Sequence, residues 1–298
     1  MESTGPATRS RRRTPYVVVG VVVVAAAVTG VVVLTQRAAE EPAPRGAPCD
    51  VPSVAPSGVT AGGGQAPGGG GLRVVEQGFT AIPPAGSGLG MVSLGAVVEN
   101  TSGRVAYRAR VTFRVRDARD ASVVPDNSGE LLVQQIPAIL PGQRVGVGAW
   151  TYLRADGSGR PVEVAGFAVE FGPTQWLPRE ENADTFAQLS ARHQHTERST
   201  AAQHTATVHY SVESAYCRAL TPRGVGVVFR DTAGTVVGGS FQTDNARRCE
   251  PGVAEQSISQ VMGIPATVDD GRTEVYPYCD VAPGGAVDPS DPDAPVNY

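Results

Sequence analysis

The sequence contains no lysine, so each of its 25 basic residues is an arginine, and its formal net charge is −4. A chain without an excess of positive charge gives no electrostatic reason to expect nucleic-acid binding. Aromatic residues make up 6% of the chain, which is little for a carbohydrate-binding surface. The hydrophobic share, 41%, is still enough for a globular core. The bias toward Arg, Ala, Gly, Pro and Val is typical of a GC-rich bacterial genome.

Motifs of common catalytic sites are also missing. No segment resembles the G-x-S-x-G nucleophile elbow of serine hydrolases. The glycine-rich run Gly62–Gly71 has no lysine and no strand–helix context, which excludes a phosphate-binding loop. The carboxylate pairs Glu180-Glu181 and Asp269-Asp270 lie in turn-like segments, which favours solvated loops. We therefore expect no catalytic residue and no cofactor.

The longest uncharged apolar run, residues 16–35, predicts a transmembrane helix. About twenty helical residues rise roughly 30 Å, the thickness of the hydrocarbon core of a bilayer. Arginines are concentrated in the preceding residues 1–15, which predicts a cytoplasmic N-terminus and an extracytoplasmic remainder at the plasma membrane. A cleavable signal peptide is the alternative, but the run is long for one and its nearest small-residue cleavage site, Ala25–Ala27, lies in its middle.

Short alternating runs follow a Pro- and Gly-rich segment, residues 36–71, which we expect to be a disordered stalk. In the run from Ala109 to Arg116, Val111, Phe113 and Val115 alternate with polar residues, as in a strand with one buried face. Turn residues separate such runs. The pattern predicts an all-β fold with antiparallel β-sandwiches at 72–178 and 204–283, a linker with a short helix around 183–192 within 179–203, and a disordered tail at 284–298.

Several landmarks recur, which predicts that the sandwiches are tandem copies of one fold. The segment Phe113–Asp117 (FRVRD) aligns with Val227–Asp231 (VVFRD) at an offset of 114 residues, 231 minus 117. Pro141-Gly142 aligns with Pro251-Gly252 at an offset of 110, 251 minus 141. These landmarks resemble FxLYD-type, immunoglobulin-like domains of bacterial, notably actinobacterial, envelope proteins, although Arg116 and Arg230 replace the usual aromatic residue. The resemblance implies an extracytoplasmic fold without a general catalytic role.

The four cysteines, Cys49, Cys217, Cys249 and Cys279, are disulfide candidates, because an oxidising exterior permits disulfide bonds. Four cysteines allow three pairings. We favour Cys217–Cys249, which leaves Cys279 to reach Cys49, and the rival begins with Cys217–Cys279. A zinc site is the alternative, but the wide spacings argue against it. We expect no free thiol.

The histidines and tryptophans are the remaining candidates. His193, His195, His204 and His209 invite a metal-site interpretation, but they lie in or near the polar linker, so we predict a solvated surface and no metal. Trp150 ends an alternating strand and should be in the core. Trp176 should cover the end of the first sandwich, with sugar binding as the alternative.

Together these features predict a membrane-anchored, non-enzymatic protein that binds, spaces or scaffolds components of the bacterial cell envelope. Its partner would be an envelope protein or a cell-wall component. The alternatives are an envelope enzyme, such as a wall hydrolase with an unrecognised site, and an accessory subunit of a membrane complex.

Overall fold

The structure, a computed structural model, describes residues 59–84, 89–126, 132–182, 185–186, 189–199, 204–243 and 249–281. The predicted cytoplasmic segment, membrane helix and C-terminal tail lie outside these ranges. Within them, no helix has the length and apolar character needed to cross a bilayer.

The described residues form an all-β fold of antiparallel strands, with single-turn 3₁₀ helices at Gly62–Gly64, Glu180–Asn182 and Asp270–Arg272. The strands are β1 Val59–Ala61, β2 Leu72–Ile82, β3 Met91–Asn100, β4 Arg104–Arg116, β5 Val133–Ile139, β6 Arg144–Tyr152, β7 Gly166–Phe171, β8 Thr174–Pro178, β9 Leu189–Arg198, β10 Thr205–Ser214, β11 Thr221–Arg230, β12 Val236–Gln242, β13 Gly252–Met262 and β14 Glu274–Asp280. The alternating run from Ala109 to Arg116 lies in β4, which buries Val111, Phe113 and Val115 as predicted.

The strands form four sheets, named here in their packing order. Sheet A has the order β1-β8-β4-β5, with β7 also paired to β4; sheet B is β2-β3-β6; sheet C is β12-β11-β14; sheet D is β13-β10-β9. The core between sheets A and B comes from residues of the first half of the chain together with Tyr278, and the core between sheets C and D comes from the second half. Sheets B and C also pack on each other, mainly through β12.

The two halves use the same strand pairing. In the first half, β2, β3 and β6 form one sheet while β4 pairs with β5 and β7; in the second, β9, β10 and β13 form one sheet while β11 pairs with β12 and β14. The turns after β4 and β11 also match. The Asp117 carboxylate accepts hydrogen bonds from the backbone N–H groups two and four residues later in the chain, and the Asp231 carboxylate does the same.

Sheets B and C meet through glycines rather than through interdigitated side chains. A Cβ atom at Gly95 would overlap the carbonyl oxygen of Gly238, and one at Gly239 would lie 2.6 Å from the carbonyl oxygen of Leu94. Side chains add hydrogen bonds across this contact: the Ser93 hydroxyl bonds both the N–H and the carbonyl of Gly239, at 3.0 and 3.1 Å. We call this contact the glycine seam. It brings the backbones of the two halves together directly.

The predicted stalk is wrong for its last part. Val59–Ala61 is a strand paired with β8, and Gln65 and Gly71 bridge to each other. Gly64 adopts a left-handed φ of 72° and lies against Phe171, a position with no room for a side chain. The glycines therefore allow tight turns on the edge of sheet A. Residues 36–58 lie outside the described ranges.

The predicted linker helix is also wrong where the structure describes it, because Leu189–Arg198 is strand β9. From Leu189 to Gln194 its side chains alternate between partly buried and exposed, and it pairs with β10 along its length with a register shift between His193 and His195. The polar composition that suggested a linker arises because β9 is an edge strand of sheet D with one face open to solvent.

Candidate binding groove

A groove with mainly apolar walls lies between the two halves, with a volume of about 590 Å³. Its walls come from β5, β6, β9 and β14, which are edge strands of sheets A, B, D and C respectively. Apolar wall residues from both halves are Pro137, Leu140, Phe186, Leu189, Tyr216 and Pro277. The two halves thus pack so that one edge strand of each sheet lies on the same side of the molecule, and these four strands form the walls of the groove.

The residues that line the groove carry little charge. Among the described residues that line it, Arg144 alone carries a charge, and its guanidinium lies 3.4 Å from the Glu99 carboxylate. The Tyr276 hydroxyl donates to Glu274 at 2.6 Å, and the Tyr278 hydroxyl donates to the carbonyl of Gly146 at 2.8 Å. These phenol groups are engaged by the protein itself, so the walls offer a ligand mainly apolar and aromatic surface.

Two of the four edge strands carry a proline. Pro137 lies in β5 and Pro277 in β14, and neither can donate a backbone hydrogen bond. Prolines on edge strands oppose continuous pairing with another chain. The groove therefore suits a segment held by its side chains, with backbone pairing limited to short stretches.

A buried acidic residue beside the groove ties the halves together. Asp280 is 2% exposed, and its carboxylate accepts hydrogen bonds from Tyr107 at 3.1 Å, Arg108 at 3.4 Å and Arg223 at 3.3 Å. Burial and the nearby Asp280 anion raise the pKa of Tyr107 to about 12. These ion pairs of one buried anion with two cations join sheet A to sheet C, and we call the group the Asp280 pin.

A second ionic cluster spans the glycine seam. The Arg230 guanidinium contacts Glu76 in the first half, and donates to Glu274 at 2.6 Å and to the Gly234 carbonyl at 2.8 Å. Partial burial disfavours the cation, but the hydrogen bonds to the two carboxylates outweigh it and raise the pKa of Arg230. Arg230 therefore stays charged and holds β2 to sheet C.

The favoured cysteine pairing and its rival are both wrong. Cys249 is bonded to Cys279, with the Cα atoms 5.9 Å apart. The reason is register: Cys249 bridges to Leu220 immediately before β11, and Cys279 pairs with Pro222 in the same strand. The described cysteines carry no free thiol. Cys49 lies outside the described ranges.

The structure places the histidines in or beside paired strands. His193 and His195 lie in β9 and His209 lies in β10, where His195 faces His209 across the pair. His204 precedes β10, and its Nδ1 lies 3.1 Å from the carbonyl of Ile264. Glu197, which the sequence analysis did not consider, lies beside His195 and His209. In the sequence, Glu197 lies two residues after His195, which places both side chains on one face of a strand. Only the strand register shows that His209 lies on that face as well.

Trp150 was predicted to lie in the core, and Trp176 was predicted to cover the end of the first sandwich. Trp176 is fully buried in the first core, so it is not a sugar-binding platform. Trp150 is only partly buried, and its side chain lies over Gly263.

The carboxylate pairs have local roles. Glu180 and Glu181 open a 3₁₀ turn, and the Asp269 carboxylate caps another by accepting the N–H of Gly271 at 3.0 Å.

Comparison of the chain with protein-family models, with curated proteins and with solved structures finds no match.

Proposed function

We propose that this chain is a non-enzymatic binding module of the bacterial cell envelope, and that its groove binds an extended, apolar segment of a partner envelope protein. The observation that carries the proposal is the meeting of four edge strands at one apolar groove. Extended polypeptides bind at sheet edges through backbone pairing and alternating side-chain pockets, and the prolines of β5 and β14 favour the pockets here. A single charged residue in the described lining favours apolar side chains over a charged ligand.

The proposed architecture is a pair of tandem immunoglobulin-like sandwiches. The common strand pairing and the matching aspartate turns support an internal repeat. The glycine seam, the Asp280 pin and the Arg230 cluster support a fixed arrangement of the two halves. A groove built by two rigidly joined halves is largely preformed, which lowers the entropic cost of binding.

The proposed location follows from the sequence. The apolar run at 16–35 and the arginines before it favour a single-pass anchor with both sandwiches outside the membrane. In that setting the groove would face other envelope components rather than cytoplasmic ones.

Site-specific photo-crosslinking in intact cells tests this function. A photoreactive amino acid at Leu140, in the groove, should produce a discrete adduct with one envelope protein. The same probe at Val253, which is 72% exposed on β13, is the matched control and should give none. Mapping the crosslinked peptide should identify an extended apolar segment.

Tyr216→Ala should abolish the Leu140 adduct, since it removes an aromatic wall of the groove; Tyr216 is partly buried and packs at the edge of a cluster that includes Phe186 and Leu220. An adduct pattern identical at Leu140 and Val253, or crosslinks to glycan alone, would overturn the peptide-binding proposal.

A further inference from the structure

Three donor groups meet on the open face of sheet D, outside the groove. His195 on β9 lies directly opposite His209 on β10, and Glu197 follows two residues after His195 on the same face. The two imidazole rings are stacked, with centroids 4.2 Å apart and planes 7° from parallel. The Glu197 carboxylate oxygen lies 3.4 Å from Nε2 of His195 and 3.6 Å from Nε2 of His209.

The nitrogen of His209 is the second observation that points to a ligand. Its Nε2 atom is buried, although the ring lies on the open face of the sheet, and it has no hydrogen-bond partner within the accepted distance. A buried polar atom without a partner is costly. Neutral imidazole nitrogens are the form that binds metal.

The spacing of the donors fits a tetrahedral metal ion. Zinc binds histidine nitrogen and carboxylate oxygen at about 2.0–2.2 Å, which places neighbouring donors roughly 3.3 Å apart. The ligand atoms of His195, Glu197 and His209 all lie within 4.8 Å of one another. Rotation of the two imidazole rings out of their stacked arrangement, with a small shift of the Glu197 carboxylate, would aim all three ligand atoms at one ion.

We propose that His195, Glu197 and His209 bind a zinc ion on the surface of sheet D. Two nitrogens and one oxygen from two paired strands supply three ligands, and the fourth position is open to solvent, where water or a donor from another molecule completes the shell. The strand pairing fixes the separation of the backbones, so binding needs rotation of the side chains and no movement of the strands. The site is independent of the groove.

Zinc titration of the full-length chain, purified metal-free in a mild detergent, tests the site. Calorimetry should show one zinc ion per chain with a dissociation constant on the order of micromolar, and zinc should raise the melting temperature. Co²⁺ should give the visible absorption bands of a tetrahedral complex. His195→Ala and His209→Ala should each weaken zinc binding at least tenfold, and Glu197→Gln should weaken it less.

His204→Ala is the matched control, because its ring contacts the Ile264 carbonyl instead of the cluster, and it should bind zinc as the parent chain does. His195 is exposed, so its variant remains informative even if His209→Ala fails to fold. Absence of saturable one-to-one binding in the parent chain, or unchanged affinity in His195→Ala, would overturn the proposal. Equal loss in His204→Ala would assign binding to a different set of histidines and would also overturn it.

Discussion

Sheets B and D are built from corresponding strands, but their outer faces are used in different ways. On sheet B, Gly95 lies between Gly78 and Gly148 on the neighbouring strands, and all three glycines pack against sheet C. The offset of 114 residues that aligns Asp117 with Asp231 aligns Gly95 with His209. On sheet D, His209 lies opposite His195, and the face is open.

The difference shows how one strand arrangement can serve two purposes. Residues adjacent to the aligned pair, Leu94 and Ala96 in the first half and Val208 and Tyr210 in the second, all face their own cores and are buried. The inner faces are therefore apolar in both halves. Glycine on the outer face allows the backbone of another sheet to approach, whereas histidine on the outer face leaves polar groups available to ligands.

The largest expected effect comes from breaking the glycine seam. Gly95→Ala places a methyl group on the carbonyl oxygen of Gly238, and backbone cannot move aside as a side chain can. We expect a loss of about 3 kcal/mol or more in the free energy of unfolding. Urea unfolding followed by tryptophan fluorescence measures it, since Trp176 lies in the first core.

Gly103→Ala is the matched control, because a Cβ atom there meets nothing within 4 Å. Its unfolding midpoint should stay close to that of the parent chain. If both variants unfolded at the same urea concentration, direct backbone packing between sheets B and C would be wrong.

Asp280→Asn should have the next largest effect. The substitution keeps the shape of the side chain but leaves Arg108 and Arg223 without their buried counter-ion, at a cost of about 3 kcal/mol. Glu170→Gln, which breaks the exposed pair with Arg114, should cost less than about 1 kcal/mol.

The Asp280 variant also tests whether the halves unfold together. If the pin couples them, tryptophan fluorescence, which reports on the first half, and far-ultraviolet circular dichroism, which reports on both, should give separate transitions in Asp280→Asn. Coincident transitions with an unchanged midpoint would show that Asp280 contributes no coupling.

The strands were predictable because their side chains alternate. From Ala109 to Arg116 in β4, buried residues alternate with less buried ones as the sequence pattern predicts, since one face of this stretch packs on a core. Strand β9 escaped prediction because few of its inward residues are strongly apolar, and its pairing with β10 supplies the structure that composition does not.

The tertiary features could not be predicted because they depend on register between distant strands. From the sequence alone, Gly78 and Gly95 would be taken for residues that form loops or weaken strands. Only the packing of sheet C against them shows why a side chain is excluded at these positions. His195 and His209 are fourteen residues apart, 209 minus 195, and only the β9–β10 pairing makes them neighbours. The groove combines edges of four sheets, which no local pattern encodes. The predicted cysteine pairing was wrong because the pairing of Cys249 with Cys279 also depends on register between distant strands.

Arg230 and Arg116 occupy aligned positions, and replacing each of them should reveal a further difference between the two halves. Arg230→Ala leaves Glu76 and Glu274 together without a cation in a partly buried place, and should cost about 2 kcal/mol. Arg116 is more exposed and forms an ion pair with the exposed Asp120, so Arg116→Ala should cost less than about 1 kcal/mol. Urea unfolding of both variants checks the ranking, and equal losses would contradict the role assigned to the Arg230 cluster.

The smallest expected effect concerns the acid limb of stability. Backbone hydrogen bonds, first from Ala121, lower the pKa of the Asp117 carboxyl below its usual 3.8. Because the folded pKa is the lower one, the contribution of this group is fully present above the unfolded value and is lost as the pH falls through the folded value. Asp117→Asn retains an accepting oxygen but removes this titration, so its melting temperature should fall less steeply on acidification than that of the parent chain. Glu213→Gln, on the exposed face of β10, is the control for removing one carboxylate. An acid limb as steep in Asp117→Asn as in the parent would mean that the turn after β4 does not distinguish the folded carboxylate from the unfolded one.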